Sequence, residues 1–98
     1  MSLLVHYTLK SADDHDHQVA AMKALVANIK AEGVPVNYAC FATEEPVKFV
    51  GVLEFDGDDA FAAFQASQAF ATYREIVGPT FANPPQTTKI SPLASTRD

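Results

Sequence analysis

Val47-Lys48-Phe49-Val50-Gly51-Val52-Leu53-Glu54-Phe55 reads as a strand with apolar residues on both faces. Side chains alternate across a strand, so Val47, Phe49, Gly51, Leu53 and Phe55 share one face while Lys48, Val50, Val52 and Glu54 share the other. A strand apolar on both sides needs cover on both sides. At 98 residues the chain has the length of one compact domain with a small core. Two helical patterns elsewhere in it cover one face. The other face calls for a second subunit, so a homodimer is expected.

Immediately upstream, Glu44-Glu45-Pro46 forms a turn, and Val36 to Thr43 forms a strand close enough to pair with the first as an antiparallel hairpin. Nearer the N-terminus, Leu3 to Lys10 alternates Leu3, Val5, Tyr7 and Leu9 with Leu4, His6, Thr8 and Lys10, a further strand. Ser11 then signals a helix start. Asp13, Asp14 and Asp16 follow where a helix N-terminus favours negative charge. Val19, Met22, Val26 and Ile29, with Leu25 beside them, make one apolar helical stripe; Gly33 stops the helix and Pro35 prevents its continuation.

Downstream, Asp56-Gly57-Asp58-Asp59 is a turn and cap for a helical region from Ala60 to Val77. At roughly 100° per residue Phe61 and Phe64 fall nearly opposite Phe70 and Val77, so a straight helix would not bury all four, and a break is expected near Ser67-Gln68. Gly78-Pro79 ends the helix, Pro84-Pro85 marks a connection, and Gln86 to Ser91 is a last, more polar strand. Pro92 onward is a short polar tail of the kind that is often disordered. The order strand, helix, strand, strand, helix, strand predicts an α+β, ferredoxin-like domain spanning residues 1–98. Right-handed crossovers give a four-stranded antiparallel sheet in the order 4-1-3-2 with both helices on one face.

Composition excludes several classes. The formal net charge of −5 and the absence of a Lys/Arg cluster argue against nucleic acid, whose phosphates demand concentrated positive charge. No stretch approaches the roughly 20 apolar residues of a membrane span. With 48% hydrophobic and 19% charged residues the chain should be soluble, with no membrane partner. Cys40 is the lone cysteine and forms no intrachain disulfide; with no signal-type apolar block after Met1, a reducing cytoplasm is the plain reading. No glycine-rich phosphate loop and no G-x-S-x-G motif are present, so nucleotide enzymes and serine hydrolases gain no support.

The stretch Phe49-Val50-Gly51-Val52-Leu53-Glu54-Phe55-Asp56-Gly57-Asp58-Asp59-Ala60-Phe61, followed by Ala66-Ser67-Gln68-Ala69-Phe70 and Tyr73-Arg74, resembles the dimeric α/β-barrel superfamily, and within it the antibiotic-biosynthesis monooxygenase-like group. That group has a strand ending in tryptophan, an acidic turn, a helix, a small-residue break and a second helical piece. The resemblance implies two sheets joined face to face as a barrel and a small apolar cavity in each subunit. It also implies a cofactor-independent monooxygenase acting on a hydrophobic or phenolic molecule, so no cofactor is expected. The group's tryptophan falls on Phe55, which, with no axial histidine to assign, leaves haem degradation unsupported; the asparagine of its oxygenase pattern falls on Gly51, which has no side chain to hydrogen-bond a substrate. A neighbouring branch includes a polyketide cyclase with a first-strand histidine placed like His6. A cyclase or isomerase, or a non-catalytic small-molecule binding protein, is therefore the alternative.

Under that resemblance Phe49, Gly51, Leu53 and Phe55 form the cavity floor, with Gly51 leaving room for a ligand; apolar stripes of this kind also serve simply as core. His6 is the candidate general base, since only histidine has an unperturbed pKa near neutrality, and Tyr73 is the orienting donor. Asn37 and Phe41 share one strand face, and Arg74 is suited to a carboxylate or phenolate; these three join the candidate substrate-binding set. Asp13 and His17 lie four apart on one helical face, yet the same residues make a good solvated first turn, and no metal is expected.

Overall fold

A computed structural model of the chain describes residues 1–96. Strand β1 (Ser2–Thr8) leads through a single 3-10 turn (Ala12–Asp14) into helix α1 (His15–Glu32). Strands β2 (Asn37–Ala42) and β3 (Lys48–Glu54) follow, then α2 (Asp58–Gln65), α3 (Gln68–Val77) and the edge strand β4 (Gln86–Ile90). The sheet order is β2-β3-β1-β4, with every pairing antiparallel. This is the expected 4-1-3-2 order read from the other edge. The tail beyond Ile90 has no regular structure through position 96, and its last two residues lie outside those described.

Local chemistry accounts for the helix boundaries. Ser11 caps the 3-10 turn by accepting from the Asp13 amide at 3.1 Å. Gly33 closes α1 in the left-handed conformation (φ 67°), which glycine adopts without a Cβ penalty. The expected break between the last two helices is present. Ser67 Oγ accepts from the Phe70 amide at 3.2 Å and donates to the Phe64 carbonyl at 2.7 Å, ending α2 and capping α3 with one side chain. The bend turns Phe70 back onto Phe64, with ring centroids 4.7 Å apart. Glu32 at the end of α1 accepts from the Ala69 amide at 3.2 Å, pinning the new helix start.

The core lies between the helices and one face of the sheet. Val5, Tyr7 and Leu9 from β1 and its extension meet Phe49, Leu53 and Phe55 from β3 and its end, all beneath Met22, Leu25, Ile29, Phe64 and Val77. The stripe on α1 is rotated from the expected one: Gln18, Ala21, Met22, Leu25 and Ile29 are buried, while Val19 and Val26 flank it. The polar Gln18, with no exposed surface, takes a position that spacing alone assigns to an apolar residue. The opposite sheet face carries Leu4, Val50, Val52, Ala39 and Phe41, by register Leu4↔Val52 and Phe41↔Val50. Among the described residues no helix covers it, and Phe41 is 53% exposed.

Candidate functional site

Between the inner sheet face and α2–α3 lies a cavity of about 1100 Å³, walled by Leu25, Leu53, Phe61, Phe64, Phe70 and Tyr73 among others. It is slightly larger than the roughly 300–1,000 Å³ typical of small-molecule sites. All three tyrosines of the sequence, Tyr7, Tyr38 and Tyr73, line it. The Tyr7 and Tyr38 hydroxyls are hydrogen-bonded at 3.2 Å. Tyr73 meets Tyr7 edge to face, with centroids 6.4 Å apart, and its hydroxyl accepts from Gln18 Nε2 at 2.8 Å.

A phenol has one proton to donate. In the Tyr7–Tyr38 pair one hydroxyl donates and the other keeps its proton. Tyr73 accepts from Gln18 and keeps its own. Two O–H donors therefore remain for a bound oxygen atom. Burial pushes the pKa of all three phenols up from 10.0, because the charged form loses hydration. For Tyr38 the neighbouring Tyr7 adds to the rise, while for Tyr73 the Gln18 bond partly offsets it. These hydroxyls stay protonated near neutral pH and act as donors, not as bases.

Gly51 has a different role from the one expected. A Cβ there would lie 3.0 Å from Tyr38 Cε1 and 3.2 Å from the Tyr7 ring and hydroxyl. The space above the glycine is occupied by the two tyrosines, so it admits their rings rather than a ligand. Leu53 lines the cavity. Phe49 and Phe55 do not; they belong to the buried core, Phe49 against the His15 ring at 5.1 Å and Phe55 against Phe61 and Phe64 at 5.2 and 5.7 Å.

The expected base and donor are not brought together. His6 alternates with the buried Val5 and Tyr7 and is exposed; it stands opposite Val50 and Gln86 on the outer face, whereas Tyr73 is under the helices. Pleating, which sends successive side chains to opposite faces, separates the two. Phe41 and Asn37 are displaced for the same reason, Phe41 on the outer face and Asn37 at a shallow edge hollow with Lys30 and Glu54. Arg74 is on the cavity wall, its guanidinium 4.7 Å from the centre of the Phe70 ring. His15 Nδ1 donates to the Pro46 carbonyl at 2.8 Å and His17 Nε2 lies 3.4 Å from the Ile76 carbonyl. Among the described residues no three His, Cys, Asp or Glu side chains are placed to hold a metal.

The residues that the spacing argument passed over are Gln18 and the Tyr7–Tyr38 pair. Gln18 sits four before Met22 and seven before Leu25, a helical signal for burial. Gly51 was the other signal: a gap in a bulky strand face is filled from the neighbouring strands, and Tyr7 and Tyr38 are its diagonal neighbours on either side.

Solved structures share this fold over nearly the whole chain. An antibiotic biosynthesis monooxygenase aligns over 96% of this chain and 100% of its own, with a TM-score of 0.79 at 15% identity. The fold is that of the antibiotic-biosynthesis monooxygenases. Rv0793 from Mycobacterium tuberculosis aligns over 97% of this chain and 96% of its own (TM-score 0.79, 18% identity). A mutant of SnoaB, a cofactor-independent oxygenase from Streptomyces nogalater, aligns over 99% and 96% (TM-score 0.76, 10% identity). No family model and no curated protein sequence matches the chain. Among the described residues no helix is long and apolar enough to cross a membrane.

Proposed function

We propose that the chain is a cofactor-independent monooxygenase that takes a hydrophobic phenol or enol into the cavity beneath α2 and α3. The observation that carries this reading is the pair of uncommitted tyrosine O–H donors, one from Tyr73 and one from Tyr7–Tyr38, among the aromatic and aliphatic residues of the cavity wall. Ionising a phenol in an apolar site is unfavourable unless fixed donors meet the new charge. Two phenolic donors do this without themselves ionising. The proton leaves towards Asp58, the carboxylate that lines the cavity. The anion is then electron-rich enough to reduce dioxygen. An activated CH2 becomes C=O; the substrate supplies four electrons, one oxygen atom stays on carbon, and the other leaves as water with the two hydrogens. The solved neighbours named monooxygenases support the reading by fold.

The same proposal takes residues 1–98 as a single domain, pairs two copies through the outer sheet face, and places the protein in the cytoplasm. Support for the pairing comes from the uncovered row of Leu4, Val50, Val52 and Phe41; support for the compartment comes from the lone thiol of Cys40.

Oxygen uptake with polycyclic phenols and their keto tautomers tests the reaction. One dioxygen consumed per substrate, with one labelled oxygen atom in the product, is the expected result. Turnover without oxygen uptake would instead indicate a cyclase or isomerase. Tight binding without turnover would indicate a binding protein, a reading favoured by His6 lying on the other face of the sheet.

A further inference from the structure

Gln18 has no exposed surface, although the spacing of Met22 and Leu25 gives its place on α1 to an apolar residue. Its amide holds Tyr73 by a single bond, Nε2 donating to Oη at 2.8 Å. The other amide atom, Oε1, has no hydrogen-bond partner among the described residues. An amide half-satisfied inside a core is costly, and a leucine here would be buried without that cost. The unpaired atom is an acceptor, on the same amide that holds a hydroxyl with a proton of its own to give.

A half-turn of the amide exchanges Nε2 and Oε1, about a torsion that in glutamine is broad and roughly two-fold. In the first orientation Gln18 donates to Tyr73, and the tyrosine's proton is directed to the cavity. In the second, Tyr73 donates to Oε1 and its Oη offers a lone pair to the cavity instead. Each orientation makes one bond to Tyr73 and leaves one amide atom unpaired, so hydrogen-bond count favours neither. The Tyr73 ring stays in place, edge to face with Tyr7 at 6.4 Å; only the hydroxyl proton and the amide turn. Burial holds the Tyr73 pKa above its ordinary 10.0, so the phenol keeps its proton in both orientations. The Tyr7 and Tyr38 hydroxyls, which bond to one another at 3.2 Å, have no such amide behind them among the described residues.

We propose that Gln18 is a positioning residue that reverses the hydrogen-bond polarity of Tyr73 by amide rotation, so that one hydroxyl accepts from a neutral phenol and donates to its oxyanion. This deepens the proposed function and rests on it, because there the ligand oxygen changes from donor to anion within one cavity. A hydroxyl locked as donor would not accept the proton of the entering phenol, and one locked as acceptor would face the anion with a lone pair. Gln18 serves both states because each ligand form binds one orientation better and shifts the population towards it.

The side-chain amide protons of Gln18, followed by heteronuclear NMR in the unaltered protein, read the orientation. The other glutamines, Gln65, Gln68 and Gln86, are exposed, so slow exchange with solvent identifies the Gln18 pair. The probes are 2-naphthol, whose hydroxyl donates, and 2-methoxynaphthalene, whose ether oxygen only accepts. They carry the same rings and are both neutral near neutral pH, so ring-current and charge effects are matched between them. With the ether the Gln18 amide protons should stay where they are in the free protein; with 2-naphthol the proton bonded to Tyr73 should move upfield as that bond is lost, and return downfield once the bound phenol ionises. In Tyr73→Phe the two probes should give the same Gln18 signals. In Gln18→Met, close in length but without a hydrogen-bonding amide, bound 2-naphthol should ionise at a pH between those of the unaltered protein and Tyr73→Phe. The NMR comparison needs no variant, so it decides the matter even where Gln18→Met fails to fold. Identical Gln18 signals with the two bound probes, or an unchanged ionisation pH in Gln18→Met, would overturn the inference and leave Gln18 a fixed donor behind Tyr73. Failure of both probes to bind would overturn it together with the cavity reading beneath it.

Discussion

Gln18 Nε2 lies 2.8 Å from Tyr73 Oη, a bond that joins α1 to α3 where Gln18 has no solvent exposure and Tyr73 is 5% exposed. The other end of the amide, Oε1, has no hydrogen-bond partner among the described residues. A buried amide satisfied at one end only is a standing cost, offset in part by the Tyr73 bond. Its consequence for function is orientation: with its oxygen accepting from Gln18, the Tyr73 hydroxyl has its proton available to the cavity.

Removing one partner of that pair is therefore worse than removing both. Tyr73→Phe should lower stability by about 1–3 kcal/mol, since it leaves the Gln18 amide wholly unpaired. Adding Gln18→Leu to Tyr73→Phe should recover part of that loss, because the buried amide is gone. Urea unfolding of the two single variants and the double variant reads the coupling. Strict additivity would show that the contact does not organise this part of the core.

The proposed dimer places a partner subunit on the outer face. Val50 stands between His6 and Phe41 in register, at the centre of the uncovered apolar row. Val50→Asp would bury a carboxylate against its own copy and should convert a dimer to monomers in analytical ultracentrifugation. His6→Ala, on the same face, should leave ligand binding in the cavity unchanged. A loss of ligand binding in His6→Ala would return that residue to the site.

Much of this architecture was legible in the residues. Alternation along Val47–Phe55, the start signal at Ser11, which caps a 3-10 turn leading into the first helix, the stop at Gly33, and the opposed phenylalanines around Ser67 each follow from local sequence, and each is present in the structure. The site was harder to read. Which face of β1 meets the helices depends on pairing between strands distant in sequence, and a shift of one residue exchanges His6 for Tyr7. The bond between Gln18 and Tyr73 spans 55 positions, and periodicity describes only neighbours a few residues apart. Gly51 could be recognised as a gap, but what fills it comes from strands on both sides.

The three cavity phenols make stability depend on alkaline pH. Their folded-state pKa values are raised above the ordinary 10.0, so above that pH the unfolded chain has released protons that the folded chain still holds. Stability from this source is complete below about pH 10 and declines as pH rises beyond it. Tyrosinate absorbance should appear together with loss of helical circular dichroism. Ionisation of the tyrosines at their ordinary pH in a still-folded protein would contradict their burial.

Gly51 is predicted to tolerate bulk poorly. Gly51→Val places branched carbon where a Cβ alone would come within 3.0 Å of Tyr38 and 3.2 Å of Tyr7, and Tyr7 is hemmed in by Tyr73 and Phe81. Overpacking of this kind costs about 1–3 kcal/mol, enough to lower the melting temperature by several degrees or more in a chain of this size. A thermal melt equal to that of the unaltered protein would mean that the tyrosine rings move aside freely.

The tyrosine hydroxyls are proposed to stabilise an oxyanion inside the cavity, and the ionisation of a bound phenol measures this directly. Absorbance titration of 2-naphthol with and without saturating protein should show the bound phenol ionising about one pH unit lower than in water, with most of that shift lost in Tyr73→Phe. Ionisation at a higher pH when bound, which burial alone would produce, would contradict the claim.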